Sequence, residues 1–474
     1  MPAPRAMLML ASISFVLLFA GFRWNLWRAA EDTFFASSQQ DDEALVIGRI
    51  VLSRQRGFLA GAGLLGFVGT GPPVITFDSS ELWGTQSFGF QTQAYVEGTP
   101  IRSFSPYFSL SGLHGMAFAT LDTVLWLAAP ALKLRLFHTI TAALVAAAYT
   151  LLFLWLRREF GFGVAIPCLL VLVGSPWLTA LARNLHWSLW LFLLPTFGIG
   201  AVVSNSSVSR SQNLRLTIVA FATLLLRFLC GYQFITATAA MAVAPVLYYS
   251  VRNKWPLRVL SQRLGLLAAA ALLALIASLA VLTLQISVVT GSVRDSAHHL
   301  SLAVGRRTSG DPSRFPPVYA AALSAKTSDV LKTYLEDRFD RWDGPRRPEV
   351  LRWLLSRSYR DLIVWILLAA GWAAVRTAWL PADRRFRPLA LAAATLCALL
   401  GTLAWLVIFK AHSFIHTHVN PIMWHLLFLP LGAALVCFAV EDAALLVGRT
   451  LIRPRGSRQD SAERRKTPAA RDDR

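Results

Sequence analysis

The sequence predicts an all-α, polytopic transmembrane helix bundle of about ten to eleven spans. Three observations predict it. First, 55% of the 474 residues are hydrophobic and only 15% charged, with a mean hydropathy of +0.51. Soluble domains carry about a quarter charged residues, so the deficit fits a chain solvated mainly by lipid. Second, apolar runs near the length of a bilayer crossing, roughly 20 residues, recur at 6–23, 113–133, 136–156, 163–181, 185–203, 214–250, 264–290, 361–380, 387–409 and 421–447. Third, the Arg and Lys behind the net charge of +20 and the pI of about 10.8 lie in short loops and in the C-terminal tail. That is the positive-inside distribution. No basic domain forms, so nucleic acid is not the expected partner.

The first run, Met7–Ala20, follows Arg5 and leads into Gly21-Phe22-Arg23-Trp24-Asn25-Leu26-Trp27. Trp and Arg there form an interfacial anchor rather than a small-residue cleavage site. The expectation is an uncleaved first span with a cytoplasmic N-terminus. Residues 1–450 then form one membrane domain with two external loops, 24–112 and 291–360. The Arg-rich tail 451–474 is expected to be disordered and cytoplasmic. Arg384, Arg385 and Arg387, like Arg252, Lys254, Arg258 and Arg263, mark cytoplasmic turns. Two cytoplasmic termini require an even number of crossings. The stretch 214–250 is too long for one span and carries Arg227 and Gly231 inside it. Splitting it gives eleven crossings, and a simple ten-span count puts Arg157 and Arg158 outside, against the charge rule. One long broken helix in 214–250 or a half-span in 136–203 would resolve this. No internal repeat is visible, which weighs against transporter folds built from related halves. Cys168, Cys230, Cys397 and Cys437 stand far apart in apolar runs, as buried free thiols do.

Several clusters could carry chemistry. In the first external loop, Ala44, Leu45, Ile47, Ile50 and Val51 recur at helical spacing behind Asp41-Asp42-Glu43. A carboxylate there could take a proton from a hydroxyl; Asp41 or Asp42 could equally cap a membrane-surface helix. The segment Tyr107–Gly115, with His114, leads into the next run. Arg183-Asn184-Leu185-His186-Trp187 stands at a helix junction, where Arg and His suit a phosphate. Arg227 in mid-membrane needs a partner or a cavity, and Asp122 is a candidate for a cavity ion pair. The turn Lys410–Asn420 carries Lys410, His412, His416 and His418. His412 and His416 have the i, i+4 spacing of metal-binding helices, but no Glu or Cys completes a ligand set. A cationic rim for a lipid phosphate is the stronger reading, beside an incidental interfacial cluster.

This order of features resembles the polytopic glycosyltransferases of the GT-C fold, which include protein O-mannosyltransferases, lipid A aminoarabinose transferases and bacterial relatives. In that family the first span is followed by an external loop with an acidic pair and membrane-surface helices. Asp42-Glu43 with Arg49 beyond resembles the family's Asp-Glu-x-x-Tyr and Arg pattern; Val46 stands where the aromatic is common, and Asp41 leaves the register open by one residue. The resemblance implies a polyprenyl-phosphate-linked sugar donor, a glycan or lipid-linked acceptor hydroxyl on the external face, and an inverting displacement with Asp42 as general base and Asp41 or Glu43 assisting. Arg183, His186, Lys410, His412 and His416 would hold the donor phosphate. Some relatives use a divalent metal near the acidic pair and others do not. The implied location is a bacterial inner membrane, in keeping with the Ala-, Leu- and Arg-rich composition. Two other classes stay open: a transporter or flippase for a lipid-linked or anionic solute, and a non-catalytic membrane scaffold.

Overall fold

Why the apolar runs break where they do decides the architecture. The computed structural model describes residues 4–84, 88–204, 209–339, 356–380 and 385–452. The expected basic tail from 453 onward, and Arg384, lie outside them. In chain order the helices are α1 (Pro4–Trp24), α2 (Asp32–Ala36), α3 (Ser38–Arg56), α4 (Ser79–Gly84), α5 (Phe88–Glu97), α6 (Leu113–Val124), α7 (Pro130–Phe160), α8 (Phe162–Val173), α9 (Pro176–Leu181), α10 (Trp190–Val203), α11 (Arg210–Cys230), α12 (Ile235–Arg252), α13 (Leu257–Thr290), α14 (Val293–Gly305), α15 (Pro317–Ser324), α16 (Thr327–Glu336), α17 (Tyr359–Arg376), α18 (Arg387–Ile408), α19 (Lys410–Ile415) and α20 (Leu429–Ile452), the last entered through a π-helical turn, Trp424–Phe428. The fold is predominantly helical, and six helices among the described residues are long and apolar enough to cross a membrane: α1, α7, α11, α13, α18 and the π turn with α20.

The run 113–133 is not one span. It breaks after α6, because Ala129 is extended before Pro130, which opens α7 at its first turn. α7 then absorbs 136–156 and runs 31 residues. The run 163–181 is interrupted at Gly174-Ser175, where the Ser175 Oγ accepts from the Leu178 N–H and Pro176 starts α9. The long stretch 214–250 is two helices, parted at Gly231 and at Phe234, which is left-handed (φ 57°). Both ends of the bundle are fixed by contacts. At one end Glu159 accepts from Tyr248 (3.0 Å), from Arg252 (2.8 Å) and, through its carbonyl, from Arg387 (2.8 Å). Arg157 lies against Met7 at the start of α1. At the other end Arg183 reaches the carbonyl of Arg23 (3.0 Å), and Gln285 of α13 reaches the carbonyls of Ala62 and Ser111 (3.0 Å each). Among the described residues the chain therefore runs between these ends along α1, α7, α8–α9, α10, α11, α12, α13, α17, α18 and α20. This path puts Arg157 and Arg158 at the same end as the N-terminus. The charge-rule conflict arose only from counting 113–133 as a crossing.

The first loop is a compact subdomain rather than a set of surface helices. Residues 44–52 of α3 are all buried, packed against α5, α6 and a two-stranded antiparallel sheet whose strands β1 (Gly66–Gly69) and β2 (Ser103–Pro106) pair Gly66 with Pro106 and Gly69 with Ser103. This small sheet departs from the all-α expectation. Gly48 lets α3 touch β1: a Cβ there would collide with the Gly66 carbonyl and crowd Gln91. Gln91 itself holds both the N–H (2.8 Å) and carbonyl (2.9 Å) of Val68. Gly48→Ala should therefore cost about 1–3 kcal/mol of stability by overpacking, read as a lower unfolding temperature in detergent; an unchanged midpoint would show that α3 can slide off the sheet freely. Arg49 is fully buried and ties α3 to the following turn through Ser53 Oγ and the Phe58 carbonyl (2.8 Å each).

Candidate functional site

The acidic start of α3 divides its labour. Glu43 is 3% exposed. It accepts from Gln39 Nε2 (3.0 Å) and the Leu185 backbone N–H (2.9 Å), and pairs with His138 Nε2 (2.9 Å). With its oxygens so occupied it anchors the 182–189 segment rather than facing an open space. Arg183 is committed as well: its Nε donates to Gln39 Oε1 (3.0 Å) and its guanidinium lies 3.7 Å above the Phe35 ring. The helix begins at Ser38, and neither Asp41 nor Asp42 caps it.

Asp42 instead turns toward that segment. Its Oδ2 accepts from Trp187 Nε1 (2.8 Å) and, at 3.4 Å, from Asn184 Nδ2. Asn184 is fully buried and also accepts from the N–H groups of His186 (2.9 Å) and Trp187 (3.1 Å), so one side chain shapes the turn and positions the indole. Burial pushes the Asp42 carboxyl up to about 7; the Trp187 hydrogen bond works against this, and the charges of Glu43 and Asp41 work with it. Asp41, partly buried, is also raised by burial. A carboxylate poised near neutrality with one oxygen unengaged is suited to general-base work.

A second group closes in beside Trp187. His186 stacks edge-on to it (5.8 Å) and to His114 (5.7 Å). His114 is 4% exposed and Arg227 3%. Burial, then the nearby Arg227 charge, lowers His186 to about 4. Both ring nitrogens of His114, Nδ1 of His186 and Nε of Arg227 are buried without a hydrogen-bond partner. Arg227 does donate to the Gln233 carbonyl (2.8 Å) and lies over Phe192 (3.6 Å). These four atoms, on neighbouring side chains, leave donors and at least one ring acceptor without protein partners among the described residues, which a water or a bound polar ligand would satisfy. The Asp122–Arg227 pair does not form. Asp122 accepts from Arg54 (2.7 Å) and Tyr95 OH (2.7 Å) and pairs with Lys133 at the start of α7 (3.2 Å), and it lies about 12 Å along α6 from His114 at 1.5 Å per residue.

The His-rich turn lies on the same end. An aromatic path links it to Asp42: Trp187 stacks on Phe234 (5.6 Å), Phe234 meets Trp405 (5.3 Å), and Trp405 meets His412 (5.4 Å), which lies 4.3 Å from His416. Lys410 is not aimed at this space. Its Nζ donates to the carbonyls of Leu323 (2.9 Å) and Ala325 (2.7 Å), closing the C-terminus of α15. Lys410→Met should thus lower stability by about 1–3 kcal/mol and leave ligand affinity unchanged; a selective loss of affinity would restore its phosphate role. Sequence reasoning missed His138, and also Arg306 and Arg307, whose charge falls on the turn. Their signal was a basic pair inside a loop expected outside, where the charge bias disfavours it. Among the described residues no three His, Cys, Asp or Glu side chains converge as a metal-holding set. A cavity of about 370 Å³, lined by apolar groups with Tyr248, Tyr249 and Arg158, sits at the opposite end, about 30 Å along α7 from His138 at 1.5 Å per residue.

Fold and composition define the chain as a multi-pass helical membrane protein. No family model matches the sequence, and no curated protein does.

Proposed function

We propose that this protein is a membrane glycosyltransferase that moves a sugar from a polyprenyl-phosphate donor to an acceptor hydroxyl at the external face. The observation that carries the reading is Asp42, a carboxylate with a proton affinity near neutrality, bonded to Trp187, whose neighbour His186 meets His114 and the charge of Arg227. In the reaction, Asp42 takes the acceptor proton as the hydroxyl oxygen bonds to the anomeric carbon. The bond from that carbon to the donor phosphate oxygen breaks, and the lipid phosphate leaves with the electron pair. Arg227, His114 and His186 receive the phosphate. Asn184 and Trp187 position the base, while Glu43, Gln39 and Arg183 hold the segment that carries them. Orientation follows the charge bias: the end bearing Arg157, Arg158, Arg252 and Arg387 is cytoplasmic with both termini, ten crossings satisfy parity, and the acidic site faces outward in a bacterial inner membrane. The test is transfer of labelled sugar from synthetic polyprenyl-phosphate donors to membrane acceptors by the purified, reconstituted chain. No transfer with any donor of a broad panel overturns the reading.

One observation favours a different class. Helices interrupted near mid-bundle, at Gly174-Ser175 and at the π turn of Trp424–Phe428, are a device of transporters. His425 on that turn bridges Ser175 Oγ and Tyr359 OH (2.8 Å each). A transporter or flippase would move a lipid-linked solute across liposomes with no covalent change, and cysteines introduced along α10 would alternate in accessibility.

A further inference from the structure

We propose that Arg306, Arg307, His412 and His416 form a second site, separate from the pocket beside Asp42, that binds a phosphate-class dianion. α14 ends at Gly305, and the chain turns so that Arg306 points its guanidinium at the Phe77 carbonyl (3.1 Å) and Ser109 Oγ (3.3 Å). Its cation lies 5.4 Å from the Tyr319 ring on α15. Arg306 is 5% exposed and already spends two donors, so it fixes the wall. Arg307 spends one donor, on the Ala303 carbonyl (2.9 Å); its other N–H groups have no hydrogen-bond partner among the described residues. α15 packs on α19 through Ala322, Leu323 and Ala411, with Lys410 clamping the joint. α15 thus carries both the Tyr319 ring that faces Arg306 and the surface on which the His412-bearing α19 rests.

The charges of both arginines reach the His-rich turn. His412 is held well below its ordinary value by burial first, then by His416, Arg307 and Arg306. His416 is pushed down to about 3 by burial, then by His418 and Arg307. The His412 and His416 rings lie 4.3 Å apart, neutral beside the two guanidiniums, and His412 Nδ1 is buried without a hydrogen-bond partner among the described residues. An arrangement of this kind is stable in use when an anion supplies the missing charge, and a tetrahedral oxyanion can accept from the arginine fork and from both rings at once. The shared chemistry is a phosphate group, carried either on a lipid headgroup or free in solution. It does not rest on sugar transfer: the probes below contain no sugar.

The experiment is equilibrium binding to the purified full chain in phosphate-free detergent, with two probes, inorganic phosphate and dihexanoyl phosphatidic acid. Saturable binding of either should weaken about tenfold or more in Arg307→Gln and in the His412→Gln/His416→Gln pair. Lys326→Gln, an exposed cation on the neighbouring α15–α16 turn, should bind as wild type. Phosphatidic acid bound without inorganic phosphate identifies a lipid headgroup, and the reverse a free anion. Arg307→Lys should recover part of the affinity, which separates lost charge from a collapsed turn. No saturable binding of either probe to wild type, or equal affinity in all variants, overturns the site. Because the readout is binding of sugar-free probes, failure here and failure of sugar transfer are read separately.

Discussion

Asp42→Asn should lower sugar transfer by about 10²–10⁴-fold, the span over which a positioned general base contributes. The substitution keeps the side chain's shape and still accepts from Trp187. With the carboxyl at about 7, wild-type transfer should rise as pH climbs through neutrality and level off above it, and the residual Asn activity should lack that rise. Trp187→Phe removes the hydrogen bond that favours the charged form, so its profile should shift to higher pH. Stability supplies an independent readout. A carboxyl whose folded value lies above its ordinary one favours the folded state at low pH, and this contribution is lost as pH rises through about 7. Asn carries no such penalty, so Asp42→Asn should be at least as stable as wild type at pH 8 while inactive. Near wild-type transfer by Asp42→Asn would remove the base assignment; if Asp41→Asn alone abolished transfer, the role would pass to its neighbour.

Asp122→Ala should be the most destabilising single change in the first-loop subdomain, about 3–5 kcal/mol, because it strands a buried cation. Lys133 is 5% exposed and Asp122 likewise. Besides the carboxylate, Lys133 Nζ reaches only the Asp122 carbonyl (2.8 Å). Burial raises the Asp122 carboxyl, but the hydrogen bonds from Arg54 and Tyr95 outweigh it and the net shift is downward. The resulting stability is present above the ordinary carboxylate value and is lost as pH falls through the lowered one. Chemical unfolding in detergent should show the loss, and Asp122→Leu with Lys133→Met should recover much of it, since neither charge is then stranded. Combining Asp122→Ala with Arg227→Met should give additive losses, because the two belong to different networks. Strong non-additivity would revive their pairing.

Bilayer passage was legible in the sequence because it depends on summed hydrophobicity and loop charge, which are properties of composition along the chain. The placement of Asp42, His412 and His416 at one end followed from the span count at the two ends of the chain, whereas that of His186 depended on the undecided middle, 136–250. Where a run breaks was less visible. Ala129-Pro130 and Gly174-Ser175 are local signals, yet hydropathy averages over them, and so 113–133 passed as a crossing. Partner choice was not legible at all. Glu43, Arg183 and Lys410 read as free charges, but Leu185 N–H, Gln39 and the carbonyls closing α15 claim them, from residues up to 144 positions away. Asp122 looked like the membrane partner of Arg227, but Arg54, Tyr95 and Lys133 claim its carboxylate. Residue order alone was enough for a multi-pass helical bundle, because lipid imposes a one-dimensional rule on every span. Only the tertiary structure decided which acid is poised and which cations lack a partner, because hydrogen bonds and buried fields depend on distances between segments that no spacing along the chain records.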